Sequence, residues 1–124
     1  MADDYRRVSC EGAKGVLKVT LNRPEALNTL TPDLEKELHE ALAEGDADPE
    51  VFCMVVTGAG RAFCAGYHMG ATPERKGNLT DPDSYESVGE YLASVQVHDY
   101  QNVQQRQLSI WRLNKPVIAA VHGY

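Results

Sequence analysis

Apolar positions at Val16, Leu17, Val19 and Leu21, the last two alternating with polar neighbours, predict a strand over residues 16–21. Tyr5 to Cys10 read as its hairpin partner, with a turn at Glu11-Gly12-Ala13-Lys14-Gly15. Pro24 cannot donate to a ladder, so Asn22-Arg23-Pro24-Glu25 closes the second strand. The period then changes. Leu34, Leu38 and Leu42 recur every four residues and predict one apolar face of a helix. Thr31 suits its N-cap, Pro32 its first position, and Asp33 and Glu35 the positive end of its dipole. Gly45 and Pro49 mark its end. The glutamates and His39 on this helix are read as a solvated face.

Val51 to Val56 are six apolar residues in a row, short and rich in β-branching, which predicts a buried central strand. Strand, helix and strand with a short return make a βαβ unit. The chain then enters a small-residue loop, Thr57-Gly58-Ala59-Gly60 onward to Gly70. A buried strand opening into such a loop lets backbone N–H groups face a ligand without intervening side chains. Residues 70–83 are polar and rich in breakers, and read as a mobile surface loop. Val88, Leu92 and Val95 restart a helical spacing, which loses phase at Val97–Tyr100. After Lys115-Pro116, Val117 to Val121 predict a second buried strand, followed by His122-Gly123-Tyr124. Ligand sites collect at the C-terminal ends of parallel strands. Here two such ends carry glycine, and the second loop breaks off at Tyr124. A chain that stops on a central strand leaves an open sheet edge. The expectation is a fragment, or a product shortened relative to a larger fold.

Composition adds exclusions. The 124 residues suit one domain, with 43% hydrophobic and 24% charged residues, as in ordinary globular proteins. A net charge of −6 without a basic stripe argues against a nucleic-acid partner. No apolar run reaches about 18 residues, so no membrane partner is expected. The opening MADDYRRVSC lacks the apolar core of a signal peptide, and Cys10, Cys53 and Cys64 form no CxxC pair. Reduced thiols in a cytoplasmic protein are the expectation.

The chemical motifs narrow by elimination. A dinucleotide fingerprint would need glycine at position 63, which is Phe63, and no Gly-Lys-Ser/Thr follows for a P-loop. Cys64 and His68, four apart, could form a thiol and its base, although a cysteine between Phe63 and Ala65 more often packs as a small hydrophobe. His39, His68, His98 and His122 fall in no metal-ligand spacing, so no metal is expected. His39 and His98 are read as structural, while His68 and His122 stand where strands open into loops.

Three stretches together carry a resemblance: Asn22 to Leu30 (NRPEALNTL), Val55 to Gly66 (VVTGAGRAFCAG) and Lys115 to Tyr124 (KPVIAAVHGY). In that order and spacing the chain resembles the N-terminal half of the crotonase (enoyl-CoA hydratase/isomerase) superfamily over residues 8–124. The resemblance implies an α/β fold with a ββα spiral core, here incomplete, the second half being absent. It implies an acyl-CoA thioester as ligand, with coenzyme A as part of the substrate and no further cofactor. It also implies an oxyanion hole of two backbone N–H groups, the first from Tyr67 and the second beyond Tyr124. Arg23, Glu25, Ala26 and Leu27 would lie near the CoA nucleotide, and Ala65, Gly66, Tyr67, His68 and Met69 along the thioester and pantetheine. His68 stands where relatives often carry Asp, and Tyr67 where they often carry a small residue. The glutamates that activate water in hydratases would also lie beyond Tyr124, which leaves Glu74, Glu86 and Glu90 without that role. The implied activity is a lyase or isomerase of fatty acid metabolism, adding water to a 2-enoyl-CoA in a homo-oligomer (trimer or hexamer), with this chain alone catalytically incomplete. The alternative is a non-catalytic crotonase domain that binds acyl-CoA or a partner chain. A thiol enzyme built on Cys64 and His68 ranks third.

Overall fold

The first turn is tighter than the polar run suggests. β1 (Val8–Ala13) and β2 (Val16–Leu21) pair antiparallel, leaving only Lys14 and Gly15 between them. Their φ values of 52° and 79° match a two-residue hairpin turn. Glu11, Gly12 and Ala13 are therefore strand, paired with Lys18, Leu17 and Val16. The computed structural model describes residues 7–73 and 75–123, without the side chains of Asp99, Gln101 and Asn102. The expected start of the hairpin at Tyr5 and Arg6, together with Glu74 and Tyr124, lies outside them.

α1 (Pro32–Ala47) begins as its sequence predicts, with Leu34 N–H donating to Thr31 Oγ1 and Pro32 in the first turn. It runs past Gly45, which packs closely against Leu17 and Met54 rather than ending the helix. β3 (Cys53–Gly58) starts two residues later than the apolar run. Phe52 N–H instead donates to Gly15 O at 2.7 Å, tying the strand entry to the hairpin turn. The Phe52 ring stays in solvent, 72% exposed.

The sheet has the order β1-β2-β3-β4, with β2 and β3 parallel and β4 (Val117–Ala119) parallel to β3. Side chains alternate across a strand, so register decides the core. Val8 faces Leu21, Cys10 faces Val19, and Leu17 and Val19 pair with Met54 and Val56. All of these are buried, and Leu34, Ala41 and Leu42 of α1 cover them. Truncating a fully buried leucine such as Leu34 to alanine typically costs about 2–5 kcal/mol.

The later elements depart further from expectation. α2 (Val88–Gln96), a π-helical segment (Val97–Gln105) and α3 (Arg106–Trp111) follow one another directly. Wide π turns absorb the lost phase at Val97–Tyr100, so the helix neither stops nor divides. Its apolar spacing does not find a core: Val88 and Leu92 are exposed, and Trp111 is 88% exposed. β4 is likewise a short edge strand with Ile118 exposed, not a buried one. The 70–83 loop is not wholly peripheral, since Arg75, Gly77 and Leu79 turn inward.

Candidate functional site

After β2 the chain makes a single short turn at Pro24–Ala26, then places Leu27 and Asn28 in the left-handed region at φ 53° and 54°. Asparagine tolerates this conformation; leucine does so at a cost of about 1–2 kcal/mol. The surroundings hold both in place. The Asn28 amide donates to Ala59 O at 2.9 Å and to Ala62 O at 2.8 Å, while its Oδ1 accepts Arg23 N–H at 2.8 Å. Asn28 is 0% exposed, and its bond to Ala62 O is wholly buried. Leu27 O accepts Ala65 N–H at 3.0 Å. Strained backbone held this way marks a place where geometry matters more than local comfort. The sequence signal for it is weak: an Asn among small residues looks like any turn.

The second loop leaves β3 at Gly58. A Cβ there would lie 2.4 Å from Phe63 O and 2.5 Å from Ala62 O, so only glycine lets the loop fold back over the strand end. Phe63 N–H then donates to His122 O at 2.8 Å, and His122 Nε2 lies 3.0 Å from Gly60 O. The loops after β3 and β4 therefore meet, as the pairing of the two strands requires.

The two sequence stretches with the strongest motif character join at a parallel bridge between Leu30 and Tyr67. Leu30 N–H donates to Gly66 O at 2.8 Å, and His68 N–H donates to Leu30 O at 2.9 Å. In a parallel bridge one residue of the pair bonds to the two residues flanking the other, which turns its own N–H to the opposite side. Tyr67 N–H therefore points away from Leu30. Among the described residues it donates to no carbonyl or side chain. Gly66, at φ 109°, supplies the conformation that presents it. The loop is open there, since a Cβ on Gly66 would meet nothing within 4 Å. An N–H with no acceptor among the described residues is a donor available to negative charge.

The Tyr67 side chain turns inward from the same residue. Its hydroxyl donates to Glu35 Oε1 at 3.2 Å, and Arg106 Nη1 donates to Glu35 Oε2 at 3.2 Å and to Pro32 O at 3.2 Å. The His98 ring meets the Tyr67 ring edge-on, with centroids 5.2 Å apart. Ser109 Oγ donates to Arg106 O at 2.6 Å and lies 3.1 Å from His39 Nδ1. The solvated face read from the sequence is thus partly interior: Glu35 is 2% exposed, and His39 is half-buried. Each was misread for the same reason. The apolar leucines define one face of α1, but the 88–111 helix covers a second.

Burial raises the Glu35 pKa above its usual value, with Arg106 and the Tyr67 hydroxyl opposing. Burial lowers the His39 pKa to about 4, with the Arg106 charge adding to it. Burial and the Glu35 carboxylate raise the Tyr67 phenol.

The remaining expected site residues are placed as follows. Ala26 and Leu27 lie beside Ala65 through the Leu27–Ala65 bond. Arg23 turns its guanidinium onto Thr29, donating to Thr29 O at 3.1 Å and Oγ1 at 3.2 Å, with the exposed Glu25 at 4.0 Å. Met69 and Ala65 are exposed along the loop. His68 Nε2 lies 3.4 Å from Ala71 O, while Cys64 Sγ lies 3.9 Å from Gly66 O. The thiol and the imidazole thus engage different carbonyls, which does not favour a nucleophile–base pair. Among the described residues no three His, Cys, Asp or Glu side chains converge as metal ligands, and no helix is long and apolar enough to cross a membrane.

With this geometry in hand, known proteins supply the context. A family model for enoyl-CoA hydratase/isomerase matches residues 11–124. The 1,2-epoxyphenylacetyl-CoA isomerase of Escherichia coli is 37% identical over 110 residues, covering 89% of this chain and 37% of that protein. The (E)-benzylidenesuccinyl-CoA hydratase of Thauera aromatica is 36% identical over 118 residues, covering 94% and 40%. Among solved structures, an enoyl-CoA hydratase/isomerase from Xanthobacter autotrophicus superposes with a TM-score of 0.69 at 31% identity, covering 96% of this chain and 39% of that one. The chain spans about two fifths of the length of these relatives.

Proposed function

The chain belongs to the enoyl-CoA hydratase/isomerase family, within the crotonase superfamily, and on that premise we propose that it binds an acyl-CoA thioester and polarises the thioester carbonyl through Tyr67 N–H. The observation that carries the proposal is the Leu30–Tyr67 bridge, which turns this N–H away from Leu30 and leaves it without an acceptor among the described residues.

The chemistry follows from charge. Adding water to a 2-enoyl thioester places a hydroxyl on C3 and pushes an electron pair through C2 to the carbonyl oxygen. The resulting enolate then takes a proton at C2. Negative charge on the thioester oxygen is the costly feature of this path. A preorganised backbone N–H stabilises it without reorienting at the moment of reaction, and removing one such donor typically lowers kcat by about 10²–10³. The same donor serves double-bond isomerisation, which passes through a similar enolate, so it fits both activities in the family's name. Ala65 to Met69 form the strip beside the thioester. Arg23 and the Glu25-Ala26-Leu27 turn lie toward the nucleotide end, where an arginine fork suits phosphate.

Titrating crotonyl-CoA into the ¹⁵N-labelled chain tests this. The Tyr67 amide should move downfield as it gains an acceptor, with smaller shifts at Leu27, Gly66 and His68. Crotonyl-CoA that leaves the Tyr67 amide unmoved would refute the reading. Absorbance of the conjugated enoyl thioester, followed in the same sample, separates an enzyme from an acyl-CoA-binding module. Loss of absorbance reports hydration, and binding with constant absorbance reports the module.

A further inference from the structure

Tyr67 is tied to the protein twice, by its backbone on one edge and by its hydroxyl deep in the interior. Among the described residues the backbone tie is the Leu30 bridge, next to a glycine with open space beside it. A peptide held on one edge can rock about that edge. The second tie removes this freedom. The hydroxyl donates to Glu35 at 3.2 Å and also meets the Gln107 side chain, Glu35 is held by Arg106 at 3.2 Å, and the ring rests against the edge of His98.

The carboxylate at position 35 accepts from both the Tyr67 hydroxyl and the Arg106 guanidinium. Burying a charge is costly even when it is paired, and an aliphatic residue on that face of α1 would avoid the cost. What the carboxylate does achieve is a junction between three elements far apart in sequence: α1 through Glu35, the glycine loop through Tyr67, and α3 through Arg106. We propose that Glu35 is a positioning residue for the Tyr67 N–H, holding the tyrosine side chain so that its peptide cannot rotate off the ligand's carbonyl. The proposal rests on the reading of Tyr67 N–H as the carbonyl donor.

The geometry separates positioning from mere packing. Tyr67→Phe keeps the ring and its edge contact with His98 but removes the hydroxyl. Glu35→Gln keeps an oxygen able to accept that hydroxyl, whereas Glu35→Ala removes it. The first measurement needs no ligand. Backbone ¹⁵N relaxation at positions 66–68 of the free chain should show lower order in Tyr67→Phe and Glu35→Ala. Glu35→Gln should restore near-native order, and the Tyr67→Phe/Glu35→Ala pair should be no worse than either single variant. Tyr67→Phe retains the packing, so it remains informative even where Glu35→Ala does not fold.

The second measurement uses crotonyl-CoA carrying ¹³C at the thioester carbonyl. Its infrared band in the bound state reports how strongly the oxygen is hydrogen-bonded. In Tyr67→Phe the band should return at least halfway to its free position, with affinity weakened several-fold, and Glu35→Gln should lie close to the unsubstituted chain. Unchanged relaxation and an unchanged band in Tyr67→Phe would overturn the anchor while leaving the donor reading intact. Failure of the unsubstituted chain to bind crotonyl-CoA would overturn the donor reading itself, whatever the relaxation shows.

Discussion

The loop crossing at residues 22–30 and 58–68 and the helical arm at 88–111 are built on opposite principles. At the crossing, backbone and one buried amide do the work: Asn28 satisfies two carbonyls and one N–H, and the Leu30–Tyr67 bridge joins the loops. The arm is held by side-chain polar contacts to α1, with much apolar surface left in water. Backbone-built geometry tolerates few residue types and sets which way a donor points. Side-chain docking tolerates many and can loosen locally without unfolding the sheet. The Glu35–Tyr67–Arg106 contact is where the two meet, so the arm reaches the site through that contact.

If this contrast is right, the largest effect comes from the crossing. Asn28→Ala leaves Ala59 O, Ala62 O and Arg23 N–H without their partner and puts alanine at φ 54°. Urea unfolding should show a loss of about 3–5 kcal/mol. An Asn28→Ala protein within about 1 kcal/mol of the parent would remove the distinction between the two regions.

Next in size is the pH response of α1. The folded state holds His39 neutral down to about pH 4, whereas an ordinary histidine protonates near 6.5. Between those values the unfolded chain takes up a proton that the folded chain does not. The contribution is therefore full above pH 6.5 and lost as pH falls through the window. His39→Gln should flatten the stability–pH curve there by about 1–2 kcal/mol, a figure reduced for the solvent still reaching the ring. Glu35 acts in the opposite sense. Its pKa is raised, so its contribution is largest below 4.5 and declines as pH rises through the raised value. Glu35→Gln should remove that decline. A His39→Gln curve parallel to the parent's would show that the arm does not desolvate α1.

A smaller effect is expected where the arm ends. Asp46 accepts Asn114 N–H and Lys115 N–H, each at 2.9 Å, and those bonds hold its carboxyl below the usual range. Asp46→Asn should speed hydrogen exchange at Asn114, Lys115 and Val117 while leaving exchange in β2 unchanged. Faster exchange throughout the sheet would mean that the arm is part of the core. The smallest effect belongs to Trp111→Ala, within about 0.5 kcal/mol by thermal melting, because an indole 88% exposed has little packing to lose.

How much of this was legible beforehand varies with the kind of signal. Thr31, Pro32 and the leucines of α1 act locally, through capping and a four-residue repeat, and the helix starts where they predict. The resemblance placed the Arg23–Leu27 and Ala65–Met69 stretches on the same ligand without saying that they pair, and the bonds at Leu27 and Leu30 join them directly. Glu35 and His39 went the other way. Polar residues on a helix read as solvated until a second helix covers them, and the residues that do so are about 70 positions downstream. The apolar run at Val117–Val121 forms β4 over Val117–Ala119, paired with β3 on one side and open on the other, as expected of a strand on which the chain breaks off.

By itself, then, the sequence determined the β2–α1–β3 unit, the helix start, the glycine-bearing strand ends and the family, because each is encoded in neighbouring residues or in an ordered set of motifs. Tertiary structure alone decided which way Tyr67 N–H points, why Asn28 must be asparagine and that Glu35 is buried. Those depend on strand pairing and on contacts between residues far apart in the chain, where hydrogen-bond direction and solvent exclusion have no local signature.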